Sequence, residues 1–116
     1  MDNIRNDQAQ ASHATPHQNE ENSRGVYDCA IVGAGPAGLT ALEYLARFHR
    51  RAVALGASGP RPRLTLIDRT YNLPGYPQGV PGDVLLRRLR EQAEVSGGEI
   101  CEQTATRIDG EDGDFQ

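Results

Sequence analysis

The chain has 116 residues, room for one small domain, and no apolar run near the roughly 20 residues that a membrane-spanning helix requires. Its formal charge is −4 and its twelve basic side chains are all arginine, so no basic surface points to nucleic acid or to an anionic membrane as a partner. The amino end, rich in Gln, Asn and His, lacks the apolar core of a secretion signal, and the cytoplasm is the expected compartment.

Residues 1–25 are polar and nearly free of large apolar side chains. Such a segment buries too little surface to offset its ordering entropy, which predicts a disordered tail. The folded part is expected over 26–116. It begins with a short buried strand over 27–32 and continues into Gly33-Ala34-Gly35-Pro36-Ala37-Gly38. A glycine pattern of this spacing between a strand and a helix is a dinucleotide-binding fingerprint. Gly33 permits the tight turn, Gly35 lets a pyrophosphate approach the backbone, and Gly38 lets the helix pack closely on the strand. Pro36 suits an early helical position, where a missing N–H costs nothing. The free N–H groups of the helix's first turn then face the phosphates at the positive end of the helix dipole.

The helix is predicted over 36–50. Leu39, Leu42, Leu45 and Phe48 form its buried side, and Thr40, Glu43, Arg47 and Arg50 its polar face. Glu43 and Arg47 make an i,i+4 pair in the favourable order, worth about 0.3 kcal/mol. A second strand is expected over 51–55. A site for an adenosine ribose normally places Asp or Glu at the end of that strand, about 20 residues past the glycines. Gly56 stands there instead, Ala57 and Ser58 follow, and the next carboxylate is Asp68. Losing a carboxylate–hydroxyl hydrogen bond weakens binding by roughly ten- to a hundred-fold; Ser58 is the nearest partial substitute.

Residues 58–81 read as a long loop with a short apolar piece at 64–67 and a rigid turn at Asn72-Leu73-Pro74-Gly75. A second helix is expected over 83–96, with Leu85, Leu89 and Ala93 as its apolar stripe, Leu86 beside them, and Gly97-Gly98 as its stop. A third strand at 99–103 and a fourth at 104–108 follow, the latter turning at 110–113 into 114–116. This order is the first half of a doubly wound α/β domain, a partial parallel sheet followed by the start of a β-meander. Cys29 and Cys101 fall in strands one and three with the second strand between them, too far apart for a disulfide. They and the scattered His13, His17 and His49 are assigned no chemistry.

Two motifs together carry a resemblance. The glycine turn with its flanking Val32 and Leu39 is similar to the FAD-pyrophosphate turn of flavoprotein oxidoreductases of the thioredoxin-reductase type. Asn72-Leu73-Pro74-Gly75-Tyr76-Pro77, with Gly82 and the leucine-rich helix through Gln92, resembles the loop beside the flavin ring in that family. More narrowly, the chain resembles the single-flavin branch, the thioredoxin-reductase-like or pyridine-nucleotide-disulfide oxidoreductases, over 27–116. The resemblance implies a Rossmann-like FAD-binding domain. In it Gly33, Gly35, Pro36, Ala37 and Gly38 would hold the FAD pyrophosphate, and Asn72 would approach the isoalloxazine. It further implies NAD(P)H as hydride donor through a domain absent from this chain, and a homodimer in full-length relatives. The chain departs from the pattern at Gly56, and at Arg61-Pro62-Arg63-Leu64, where a thioredoxin reductase carries Gly-Gly-Gln-Leu. No residue reads as a general acid, base or nucleophile. The expected function is the FAD-binding portion of an NAD(P)H-dependent flavoprotein oxidoreductase, the isolated chain itself not being competent for catalysis. The alternatives are the NAD(P)-binding half of a dehydrogenase and a non-catalytic truncated product.

Overall fold

In the computed structural model, which describes residues 25–56 and 62–116, β1 (Cys29–Val32) and β2 (Ala52–Leu55) pair in parallel. Cys29 lies opposite Ala52, and Val32 opposite Leu55. β3 (Glu99–Cys101) adds to the far side of β2, with Val53 opposite Glu99, and the order is β1-β2-β3. Each parallel connection needs a crossover, and each crossover carries a helix: α1 (Pro36–Arg47) and α2 (Gly82–Val95). The expected tail through residue 24, together with Ser58 and Arg61, lies outside the described residues.

Both helices cover one face of the sheet. Leu42 of α1 and Ala93 of α2 bury against Ala52 and Ala54, with Cys29, Ile31 and Ile100 packed around them. A second cluster joins Leu39 of α1, Leu85 and Leu86 of α2, Val80, and Leu64. Leu64 belongs to a 3-10 turn, Arg63–Leu66, within the predicted long loop. Because side chains alternate along a strand, Ala30, Val32, Val53 and Cys101 point to the other face. Cys29 and Cys101 are both free, on opposite faces of the sheet and separated by β2.

The amino-terminal rim of the sheet is tied together by polar contacts. Tyr27 donates its hydroxyl hydrogen to Glu99 Oε2 at 2.5 Å, and the Arg51 guanidinium lies 4.0 Å over the Tyr27 ring. Arg51 also donates from Nη1 to the Val26 carbonyl and from its backbone N–H to Asp28 Oδ2. The hydrogen bond to Glu99, with burial and the Glu99 charge behind it, raises the Tyr27 pKa above its ordinary value.

Three expectations need correction. The first helix ends at Arg47, not Arg50, because Phe48, His49 and Arg50 form a C-terminal cap. His49 N–H donates to the Ala46 carbonyl, Arg50 N–H donates to the Leu45 carbonyl, and His49 takes φ 58°. Phe48 therefore falls outside the buried side: it is 70% exposed and sits beside Tyr44, ring centroids 6.4 Å apart, while Ala46 takes the buried place. Residues 104–108 form no strand. Among the described residues no neighbouring strand pairs with them, and the hairpin is confined to β4 (Gly110–Glu111) and β5 (Asp114–Phe115), joined through Asp112-Gly113.

Candidate functional site

The glycine turn lies at the carboxyl ends of the strands, where ligands bind in open α/β sheets. Gly33 leaves β1 with φ 112°, a conformation that an L side chain rarely adopts, and its N–H donates to the Leu55 carbonyl at 2.9 Å. Gly38 brings α1 down onto the turn: a Cβ there would fall 1.9 Å from the Gly33 carbonyl oxygen. Gly35 is the opposite case, since a Cβ there would meet nothing within 4 Å. The backbone is free to be approached at that point.

Gly35 is the N-cap of α1, and among the described residues no side chain caps the helix. Pro36 opens it, its first turn has no acidic residue, and the N–H groups of Ala37 and Gly38 have no intrahelical acceptor. Uncapped donors, the positive end of the dipole and free space above Gly35 converge on one spot, an arrangement suited to a phosphate group. These features fit a dinucleotide pyrophosphate.

Gly56 extends β2 by donating its N–H to the Cys101 carbonyl at 2.9 Å. A Cβ at 56 would stand 2.9 Å from Ala34 Cβ, inside the glycine turn. The missing acid and the turn are therefore immediate neighbours, which the sequence spacing alone does not reveal.

The second predicted motif is brought to the same cluster. Leu73 and Tyr76 pack on the group centred on Leu39, and so does Ala34 from the glycine turn. An antiparallel bridge between Thr70 and Val80 closes the loop at its base. Arg88 of α2 holds it from the side, with Nη1 donating to Tyr76 Oη at 3.2 Å. Asn72 is exposed in this loop, and its Oδ1 accepts the Thr70 hydroxyl hydrogen at 2.6 Å. Thr70 was not among the residues singled out from sequence; its two-residue spacing from Asn72 is the signal that could have found it. The polar face of α1 is also less solvated than its pattern suggests. Glu43 accepts from Gln92 Nε2 at 2.9 Å, joining the two helices, and stands 3.8 Å from Arg47.

No protein-family model matches the chain. It is 36% identical over 87 residues to thioredoxin reductase 1 of Saccharomyces cerevisiae, a match covering 68% of this chain and 26% of that protein. With the thioredoxin reductase of Borreliella burgdorferi the identity is 36% over 83 residues, covering 72% of this chain and 26% of the relative. Among solved structures, the thioredoxin reductase from Giardia duodenalis aligns with a TM-score of 0.72 at 26% identity, over 77% of this chain and 28% of that one. The thioredoxin reductase from Gloeobacter violaceus aligns at 0.67 and 34% identity, over 72% and 26%. The chain spans about a quarter of the length of the curated relatives it matches. Among the described residues, no helix is long and apolar enough to cross a membrane.

Proposed function

From a chain that belongs to the thioredoxin-reductase-like family over the segment it shares with those relatives, we propose the FAD-binding portion of an NAD(P)H-dependent flavoprotein oxidoreductase. Gly33, Gly35, Pro36, Ala37 and Gly38 hold the FAD pyrophosphate, and Asn72 faces the ring. The observation that carries this reading is the uncapped start of α1 beneath an unobstructed Gly35. When bound, FAD supplies two-electron redox chemistry, taking hydride and passing electrons to an acceptor. The chain's own residues bind and orient. The Ala37 and Gly38 N–H groups donate to anionic oxygens, Gly33 sets the turn, and Gly38 keeps the helix against it. Residues 26–116 are read as part of one FAD-binding domain. NAD(P)H binding and dimer formation are assigned to a full-length relative rather than to these residues.

A second reading, a non-catalytic chain that binds dinucleotide weakly, is favoured by Gly56. Without a carboxylate at the end of β2, the ribose hydroxyls lose the acceptor that such sites usually provide. Visible absorption of the purified protein, before and after FAD addition and desalting, separates the two. A retained flavin band supports the flavoprotein reading. A folded, colourless protein refutes it.

A further inference from the structure

Asn72 is exposed, yet its carboxamide is held. The Thr70 hydroxyl donates to Asn72 Oδ1 at 2.6 Å. Thr70 is itself fixed through its backbone: its N–H donates to the Val80 carbonyl and its carbonyl accepts from the Val80 N–H, both at 2.9 Å. The base of the loop is clamped a second time by Arg69, whose Nη1 donates to the carbonyls of Gln78 and Gly79 at 3.1 and 3.0 Å. Val80, 3% exposed, anchors this base in the core. The backbone that carries Thr70 and Asn72 is thus set without help from the Thr70 hydroxyl.

A carboxamide has one acceptor end and one end with two N–H donors. With Oδ1 turned to the Thr70 hydroxyl, Nδ2 faces away from it, and Nδ2 donates to no group among the described residues. We propose that Thr70 is a positioning residue: its hydroxyl holds Asn72 with the N–H₂ end outward, so that the loop offers a donor and selects a hydrogen-bond acceptor, a ring carbonyl or an unprotonated ring nitrogen, on the bound ligand. The identity of that ligand as a flavin rests on the function proposed above; the orientation of Asn72 does not.

The test begins with the ¹⁵N-labelled, flavin-free chain. Side-chain amide relaxation of Asn72 is compared in the wild type, Thr70→Val and Thr70→Ser. Valine matches threonine in shape and keeps the backbone bridge but cannot donate. The expected result is an ordered Asn72 amide in the wild type and in Thr70→Ser, and a mobile one in Thr70→Val. Equal order in Thr70→Val and the wild type overturns the positioning role. In FAD titrations, Thr70→Val is expected to weaken binding by about two- to ten-fold. Asn72→Asp still accepts from Thr70 but offers no N–H₂, and should weaken binding at least as much. Unchanged affinity in both variants overturns the donor role. A wild-type chain that retains no flavin refutes the proposed function instead, and the relaxation comparison still decides the orientation of Asn72.

Discussion

Replacing Gly38 with alanine sets helix propensity against a backbone contact. Propensity favours alanine over glycine within a helix by about 1 kcal/mol. At Gly38, however, the new Cβ would lie 1.9 Å from the Gly33 carbonyl oxygen and 3.3 Å from Ile31 Cγ2. An ordinary C···O contact is about 3.3 Å or longer, so α1 must withdraw from the turn by roughly 1 Å or more. Overpacking costs about 1–3 kcal/mol. A clash with backbone, which cannot rotate aside, belongs at the upper end. Subtracting the propensity gain leaves a net loss of about 2 kcal/mol. For a domain of this size, each kcal/mol shifts the midpoint by about 4–8 °C, so Tm should fall by roughly 10 °C in thermal unfolding followed by circular dichroism. A midpoint equal to or above that of the wild type would show that α1 does not rest on the Gly33 carbonyl, and would refute the role given to Gly38.

Gly35→Ala should change folding stability by less than about 1 kcal/mol, because its Cβ meets no neighbour, yet abolish flavin retention after desalting; full retention would remove Gly35 from the phosphate site. Tyr27→Phe removes the hydrogen bond to Glu99, a loss near 0.5–1 kcal/mol at neutral pH because solvent reaches the carboxylate. The Tyr27 pKa is raised in the fold, so the native state binds the phenolic proton more tightly than the unfolded chain does. That stabilisation is fully present below the unfolded value near 10.0 and is lost as pH rises through the higher folded value. Urea unfolding of the wild type and Tyr27→Phe should therefore differ most at neutral pH and converge in strong alkali.

The strand–turn–helix around Gly33 was legible because each glycine answers a separate local steric demand, and the structure shows those demands at Gly33 and Gly38. The parallel order of the strands followed from helices long enough to cross over. The end of α1 was not legible: Phe48-His49-Arg50 contains neither Gly nor Pro, and a histidine takes the left-handed position that usually marks a stop. The strand expected over 104–108 did not form because a strand needs a partner, and pairing begins only beside the Asp112-Gly113 turn. At the site, both motifs were readable as short strings. The crowding of Gly56 against Ala34 depends on sheet register, which no local pattern encodes.

The strand order gives the two parallel pairings unequal loop lengths. Joining β1 to β2 closes the loop that contains α1, whereas joining β2 to β3 closes one roughly twice as long, at an added entropic cost of about 0.6 kcal/mol. The shorter unit carries the glycine turn, Leu42 and the buried alanines of β2, while Ala93 of α2 completes its core. Loop closure therefore favours pairing at the phosphate-facing end of α1, and α2 with the Asn72 loop completes the core around it.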